Sequence, residues 1–264
     1  MRRPGSTARA SRLRRPATYG GRAKDTAAHS TPPGAAPFRV TIPAVPRALD
    51  GRLRAVLYDW DGTLVDSAAK SYRCYVRVFS EYGIPYDRQQ YQETYTPDWY
   101  RTYEAVGLPR ESWPEAYALW TRCYELEPSE LLPGARAALE RFSSRGIAQG
   151  LVSSGESARV RRELRALDLE GFFGEAVVCG GDTERRKPDP EPLLVGLERL
   201  GVGSTGAAYL GDSPEDITMA KAACVFAVGI PGGFPNQEAL ADAEPDLLVP
   251  SLDAALDALL SSTR

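Results

Sequence analysis

The spacing of apolar residues changes along the chain, and these changes predict its organisation. Short apolar runs bounded by turn residues predict buried strands at 55–58, 147–152, 176–179, 207–210, 225–229 and 247–249. Apolar residues at helical spacing predict helices between these strands, at 135–145, at 156–167, from Pro190 to Leu200, and in a segment that ends near Ala223. A further helix is predicted after the last strand, at 252–260. This alternation predicts an α/β fold, a Rossmann-like parallel sheet core flanked by helices.

The helix that follows Pro190 shows how the inward faces are assigned. Proline suits the first turn of a helix because it has no N–H to leave unpaired. We expect four leucines to face inward from this helix: Leu193, Leu194, Leu197 and Leu200.

Residues 68–131 interrupt the alternation with a helical and strongly aromatic pattern. Ten of the 13 tyrosines and three of the four tryptophans lie here, and 67–82 carries apolar residues at helical spacing. A stacking platform for bases is one interpretation. Aromatic residues at helical spacing more often form a core, so we predict an inserted all-α domain. Single residues such as Tyr72 or Trp99 remain candidates to line a substrate pocket.

The first 50 residues differ from the rest in composition. Residues 1–54 carry twelve basic and two acidic residues, a net charge of +10, whereas residues 55–264 carry a net charge of −13. We predict a disordered basic N-terminal extension at 1–50, because this segment has no apolar periodicity. An organelle transit peptide, an over-extended start and a basic tail are alternatives. We otherwise expect a cytoplasmic protein.

Composition excludes several classes of function. An acidic folded part argues against a nucleic-acid partner, and no apolar run approaches the length of a membrane span. The four cysteines show no metal-binding spacing and are expected to be buried, reduced thiols. The single histidine, His29, lies in the basic extension, so acid–base chemistry falls to carboxylates, Lys or Tyr.

Polar residues collect where the predicted strands end. Asp59 and Asp61 follow the first strand, and Gly62 gives the chain freedom to turn both carboxylates toward one site. Because the carboxyl ends of parallel strands share one edge, further polar residues are expected beside them. These are Ser153, Lys187, Asp212 and Asp216.

Each of these residue types suits phosphoryl transfer. Asp59 and Asp212 are hard oxygen ligands for Mg²⁺. Ser153 closes a strand and is expected to begin a helix, whose N–H groups favour an anion, and Lys187 supplies a positive charge for phosphate. Asp61 is a candidate general acid and base, next to Asp59 as a nucleophile that forms an aspartyl-phosphate. Each feature alone also fits an ordinary helix cap or loop, but their joint occurrence favours a site.

This set of residues resembles the four motifs of the haloacid dehalogenase superfamily, in its phosphatase branch. The motifs are Asp59-x-Asp61-Gly-Thr-Leu, Ser153 after its strand, Lys187, and Gly-Asp212-x-x-x-Asp216. The resemblance covers about residues 54–260. It implies a core at 51–67 and 132–264, and a C1-type helical cap at 68–131.

The resemblance also implies roles for these residues. Asp59 would be the nucleophile and Asp61 the acid and base. Mg²⁺ would be held by the Asp59 carboxylate, the Asp61 backbone carbonyl and Asp212, with Asp216 supporting or ligating. Phosphate would be bound by Ser153, the adjacent Ser154 and Lys187. The sequence departs from the family pattern in two places: Cys224 replaces a glycine, and Ser154-Gly155-Glu156 replaces a common Asn-Lys.

The residues around Lys187 look most like phosphoglycolate phosphatases. We therefore expect a Mg²⁺-dependent phosphatase that hydrolyses a small phosphorylated metabolite, with 2-phosphoglycolate as the first candidate. A β-phosphoglucomutase-like phosphomutase or a pyrophosphatase on the same scaffold is the alternative. A non-hydrolytic phosphoryl-accepting or binding module is a third, which Asp61 argues against because a receiver needs no leaving-group acid.

Substrate recognition by the insert stays open at this point. Lys70, Arg73, Tyr75 and Arg77 follow the first motif and are candidates to contact the substrate. A solvated helix face is the favoured interpretation. The sequence does not indicate an oligomeric state.

Overall fold

The computed structural model describes residues 53–96 and 99–261. The predicted basic extension at 1–50 lies outside these residues. Six parallel strands form one sheet in the order β3-β2-β1-β4-β5-β6. Their bounds are β1 Ala55–Tyr58, β2 Ala148–Glu156, β3 Val177–Gly180, β4 Ala207–Gly211, β5 Phe226–Gly229 and β6 Leu247–Leu248. The predicted α/β class with a parallel sheet is confirmed.

Helices connect the strands and cover the sheet. Their bounds are α1 Ser67–Glu81, α2 Arg88–Thr94, α3 Trp99–Ala105, α4 Trp113–Leu126, α5 Ala135–Ser143, α6 Ser157–Ala166, α7 Glu170–Phe173, α8 Glu191–Leu200, α9 Pro214–Ala222, α10 Gln237–Asp242 and α11 Leu252–Ser261. Buried apolar residues form one cluster around Tyr58 and Leu139 and another around Leu57 and Leu197. Because neighbouring strand residues point to opposite faces, these clusters cover the two faces of the sheet.

Strand β1 lies in the middle of the sheet and fixes the position of the first motif. All four residues of the strand are buried, as expected for a parallel strand covered on both faces. Tyr58 pairs with Leu151 of β2 and with Leu210 of β4. The residues after Tyr58 therefore lie beside the carboxyl ends of β2 and β4.

Strand β2 is longer than predicted, whereas the helix after it lies within one residue of the predicted bounds. The strand continues to Glu156, which pairs with Gly180 of β3 beyond an irregularity in the register. Helix α6 begins at Ser157, and the Glu156 carboxylate caps it by accepting the N–H groups of Ala158 and Arg159. The expectation that Ser153 begins a helix is therefore wrong, because pairing with β3 keeps this segment extended.

Helix α8 corrects one predicted core residue. Leu193 and Leu197 are buried and Leu200 packs against the same cluster, but Leu194 is 45% exposed. The inward stripe follows the i, i+4, i+7 spacing, and Leu194 lies outside it. The short helices α7 and α10 were not predicted from the sequence.

The described residues between 68 and 131 contain helices α1 to α4 and no strand. Their aromatic side chains form a separate buried cluster around Tyr75, Phe79 and Tyr103. The interpretation of these aromatics as the core of a helical insert agrees with this cluster. The precise boundaries of the insert stay a prediction.

The chain enters and leaves the helical insert through two segments that lie side by side. Asp66 N–H donates to the Glu130 carbonyl and Leu132 N–H donates to the Leu64 carbonyl, each at 2.9 Å. The Asp66 side chain also caps α1 by accepting the N–H of Ala69 at 3.0 Å. These bonds hold the start of the insert beside the residues that follow β1.

Three of the cysteines are buried free thiols, as expected: Cys74, Cys123 and Cys179. Cys224 is exposed and adopts a left-handed conformation, with φ of 59°, just after α9. Glycine adopts this conformation at lower cost, which explains why the family pattern has one there. Among the described residues, no helix is both long and apolar enough to cross a membrane.

Candidate active site

The ends of three neighbouring strands bring the first site residues together. Asp59 follows β1 directly, and its N–H donates to the Leu210 carbonyl of β4 at 2.8 Å. Ser153 and Asp212 each lie two residues beyond a partner of Tyr58. The side chains of all three are nearly buried. The shared edge that the sequence predicted therefore exists.

Lys187 lies between two buried carboxylates. Its Nζ is 2.6 Å from Asp59 Oδ1 and 2.7 Å from Asp216 Oδ1. Burial alone would lower the pKa of Lys187, but the charges of Asp216 and Asp59 outweigh it and raise that pKa above its ordinary value. Lys187 is therefore a fixed positive charge at the proposed nucleophile.

Asp216 is held by the start of α9. Its Oδ2 accepts the Ser213 hydroxyl at 2.7 Å and the Ser213 N–H at 3.2 Å, while Ser213 Oγ accepts the Asp216 N–H. This reciprocal capping box stabilises the helix start. Tyr209 donates its hydroxyl toward Asp216 Oδ1 at 3.1 Å. Both oxygens of Asp216 are thus occupied by protein donors, which suits a supporting role.

Three of the predicted metal ligands form one cluster. Carboxylate oxygens of Asp59, Asp212 and Asp216 lie within 4.8 Å of one another. Burial, together with the neighbouring carboxylates and despite Lys187, raises the pKa of Asp59 to about 7. Burial and the charges of Asp59 and Asp216 also raise the pKa of Asp212 well above its ordinary value. Asp59 and Asp212 need further positive charge to be ionised at neutral pH, so this hard-oxygen donor set fits Mg²⁺.

Two glycines make room for the Asp212 carboxylate. A Cβ at Gly62 would lie 2.1 Å from Asp212 Oδ2, and one at Gly232 would lie 2.3 Å from it. Gly62 also has a φ of +81°, a conformation that other residues rarely adopt. The glycine of the first motif is therefore required both for the turn and for the approach of Asp212.

The Asp61 carboxylate lies apart from this cluster. It forms a bidentate ion pair with Arg159, with Nη2 to Oδ2 at 2.5 Å and Nη1 to Oδ1 at 3.1 Å. Tyr124 of the insert donates its hydroxyl to Oδ1 at 3.3 Å. Burial raises the pKa of Asp61, but the Arg159 guanidinium outweighs burial and holds this pKa below its ordinary value. Any metal contact from Asp61 would come from its backbone carbonyl, as the resemblance implied.

Arg159 belongs to a buried network centred on Glu163. One Glu163 oxygen accepts Arg159 Nη1 at 3.0 Å and Trp60 Nε1 at 2.8 Å. The other accepts Lys70 Nζ at 3.0 Å and the Ser129 hydroxyl at 2.9 Å. Lys70 and Ser129 come from the two ends of the insert region, so Glu163 ties the insert to the site.

Sequence reasoning missed Arg159 and Glu163. Both residues lie on α6 next to Val160 and Leu164, which form its buried face. Their position beside this apolar face is the sequence signal that could have identified them. Ser153 lies at the predicted edge of the sheet, although within β2 and not at a helix start, and its Oγ accepts the Gly155 N–H at 3.0 Å. Ser154 lies beside it with an exposed side chain.

The candidates on α1 divide into two groups. Lys70 and Tyr75 are buried, so the favoured interpretation of a solvated face is wrong for them. Arg73 and Arg77 are exposed, and Arg73 pairs with Glu127 at 2.9 Å. Among the candidates for a substrate pocket, Tyr75 and Trp99 line a cavity beside Asp61, whereas Tyr72 is not among its described lining residues.

The arrangement of these residues matches a known family. The sequence profile of haloacid dehalogenase-like hydrolases matches residues 56–230. The chain belongs to the haloacid dehalogenase-like hydrolase family. The family resemblance of the four motifs is thereby confirmed.

Two relatives of this haloacid dehalogenase-like hydrolase are phosphoglycolate phosphatases. The protein of Escherichia coli K12 is 35% identical over 133 residues, 50% of this chain and 52% of the relative. The protein of Shigella boydii serotype 4 is 29% identical over 234 residues, 78% of this chain and 92% of the relative. The chain thus spans about half the length of the first relative and most of the second.

A solved structure extends the comparison. A protein of Thermotoga maritima, assigned provisionally as a β-phosphoglucomutase, is 29% identical and has a TM-score of 0.65. The match covers 79% of this chain and 99% of that chain. The fold of the hydrolase is therefore shared with a protein that carries a mutase name.

Proposed function

We propose that this hydrolase is a Mg²⁺-dependent phosphatase that acts on a small phosphorylated metabolite through an aspartyl-phosphate at Asp59. The observation that carries this proposal is the position of Asp59. It lies at the end of the central strand, with Lys187 at 2.6 Å and with Asp212 and Asp216 within the same buried cluster. A nucleophilic carboxylate needs nearby positive charge to accept a phosphoryl group, and Lys187 supplies positive charge at this edge of the sheet.

The proposed reaction has two steps. An Asp59 oxygen attacks phosphorus, and the bond from phosphorus to the leaving oxygen breaks as Asp61 gives that oxygen a proton. Water then attacks the phosphorus of the aspartyl-phosphate, Asp61 takes a proton from the water, and inorganic phosphate leaves with Asp59 restored. The ion pair with Arg159 keeps Asp61 ionised, which suits the second step. For the first step, Asp61 must leave Arg159 and carry a proton.

The metal and phosphate sites share the same edge of the sheet. We assign the metal to the carboxylates of Asp59 and Asp212 and the backbone carbonyl of Asp61, with Asp216 in support. A bound Mg²⁺ would draw charge from the phosphoryl oxygens and keep Asp59 ionised. We assign phosphate binding to Ser153, Ser154 and Lys187.

Relatives named phosphoglycolate phosphatases make 2-phosphoglycolate the first substrate to test. A phosphomutase is the second candidate function, supported by the likeness to the Thermotoga maritima protein. A mutase would convert a sugar 1-phosphate to the 6-phosphate and depend on a bisphosphate, whereas a phosphatase would release phosphate. Action in the cytoplasm, without a nucleic-acid or membrane partner, stays a prediction.

The experiment is phosphate release from a panel of esters that includes 2-phosphoglycolate, hexose phosphates and pyrophosphate. Each is assayed with Mg²⁺ and with EDTA. We expect metal-dependent release from at least one ester. A well-folded protein that releases phosphate from none of them would refute the phosphatase proposal, and isomerised hexose phosphate would favour the mutase.

A further inference from the structure

A cavity of about 550 Å³ lies between the helical insert and the core. This volume is within the range of about 300–1,000 Å³ for pockets that hold drug-sized ligands. Of the predicted catalytic, phosphate and metal residues, Asp61 alone is among the described residues that line it. Because Asp61 is the proposed acid for the leaving oxygen, the cavity lies where the leaving group of the substrate would be.

The cavity walls are aromatic. Seven of the described lining residues are Tyr, Trp or Phe. Trp99 stacks on Tyr117 with ring centroids 4.2 Å apart, and Trp120 stacks on Tyr124 at 4.8 Å. Tyr124 also donates to Asp61, so the aromatic wall reaches the reacting end of the site. Flat aromatic faces of this kind bind planar rings by stacking.

Two polar groups behind this wall have no hydrogen-bond partner among the described residues. Trp120 Nε1 and Thr121 Oγ1 are buried and make no hydrogen bond within the part of the chain that the structure describes. Both residues line the cavity. Because these two atoms have almost no solvent-accessible area, they lie behind the cavity surface, and the surface offered to a ligand is mainly aromatic.

The charges at the cavity do not suit a small carboxylate. The cations among its described lining residues are Arg159 and Arg162. Arg159 already pairs with Asp61 and with Glu163. The carboxylates of Asp61, Glu125 and Glu156 outnumber the two cations along the described lining. A glycolate group would leave most of the volume unfilled and would compete with Asp61 for Arg159.

We propose that the substrate is a phosphate monoester of a primary alcohol that bears an aromatic or heteroaromatic ring, and that the ring binds between the Trp99 and Trp120 sides of this cavity. The proposal rests on the phosphatase function and changes only the leaving group, from glycolate to an aromatic one.

Matched pairs of esters isolate the contribution of the ring. Adenosine 5′-monophosphate and ribose 5-phosphate share the same leaving oxygen and differ by the base, and benzyl phosphate is compared with ethyl phosphate in the same way. We expect kcat/KM to be about tenfold higher or more for the ring-bearing ester of at least one pair, which is the scale of one base stacked on an aromatic side chain. The kcat/KM of that ring-bearing ester should also exceed kcat/KM for 2-phosphoglycolate.

Two cavity variants and one control locate the effect. Trp120→Leu on α4 and Trp99→Leu on α3 should each reduce the preference for the ring-bearing ester severalfold. Trp113→Leu removes an indole from the same helix as Trp120, but Trp113 is not among the described lining residues and donates to the Leu108 carbonyl. This control should keep the wild-type preference. Circular dichroism checks that each variant folds, and two positions on separate helices keep the test valid if one variant does not.

The outcomes separate this proposal from the phosphatase function. Phosphate release that is equal for both members of each pair, or highest for 2-phosphoglycolate, overturns the aromatic leaving group and leaves the phosphatase intact. Equal effects of Trp113→Leu and both cavity variants also overturn it. Release from no ester refutes the phosphatase, and the present proposal with it.

Discussion

The carboxyl edge of the sheet and the helical insert bury opposite kinds of side chain. At the edge, the ionisable side chains of Asp59, Lys187 and Asp212 are buried together within a few ångströms. In the insert, aromatic rings such as Tyr75 and Tyr103 are buried against one another. The proposed chemistry therefore lies at strand ends, where register places Asp59 and Asp212, and the proposed recognition of the leaving group lies on packed helices. Asp61 contacts both regions.

Loss of the proposed nucleophile should have the largest effect. Asp59→Asn removes the attacking carboxylate, and we expect turnover to fall by roughly a thousandfold or more. Asp257→Asn is the matched control, because Asp257 lies on the surface and pairs weakly with Arg141 at 3.4 Å. Phosphate release measures both variants. Comparable turnover in Asp59→Asn and the control would place the chemistry away from the sheet edge.

Removal of the central cation should destabilise the edge. Lys187→Met leaves Asp59 and Asp216 buried without their ion-pair partner, and we expect the free energy of unfolding to fall by about 3–5 kcal/mol. Urea unfolding with EDTA measures this change. Lys221→Met, at an exposed lysine, is the control. Equal stability of the two variants would mean that Lys187 does not balance these carboxylates.

The link between the two regions is tested at Arg159. Arg159→Met removes the bidentate partner that orients Asp61 and keeps it ionised for the second step, and we expect kcat to fall about 10- to 100-fold while the protein stays folded. Arg161→Met on the same helix is the control, because Arg161 is exposed. An unchanged kcat would show that Asp61 needs no orientation from the core.

The smallest expected effect is a dependence of stability on pH. The pKa of Asp59 is raised to about 7, chiefly by burial, so the folded protein keeps a proton that the unfolded chain releases above about pH 4. In EDTA, the Tm should therefore fall by about 5 °C as pH rises from about 4 to 7. Saturating Mg²⁺ should reduce this fall. A Tm in EDTA that rises across this window would contradict the assignment.

The chemistry of the site was predictable because it depends on strand ends. Each strand signal located a carboxyl end, and parallel strands bring those ends to one edge, so Asp59 and Asp212 were expected to meet. The end of β2 was predicted too early, at Val152, because Ser153-Ser-Gly has the composition of a turn. Pairing of Glu156 with Gly180 overrides that local preference.

The network around Asp61 was not predictable from spacing. Helix α6 carries several arginines, and the periodicity does not identify Arg159 as the one that reaches a carboxylate on another element. The same reason applies to Lys70, which reaches Glu163 from α1. Both contacts depend on how the insert and α6 pack on the core, and the apolar periodicity of each helix does not determine that packing.

The most direct test of the central claim is chemical trapping of the aspartyl-phosphate. The protein is mixed with its best ester and Mg²⁺, quenched in acid and reduced with sodium borohydride, which converts an acyl phosphate to an alcohol. Peptide mass spectrometry then locates the reduced residue. We predict reduction at position 59, dependent on both the ester and Mg²⁺. Efficient turnover with no reduced residue, or with reduction at another position, would contradict Asp59 as the nucleophile.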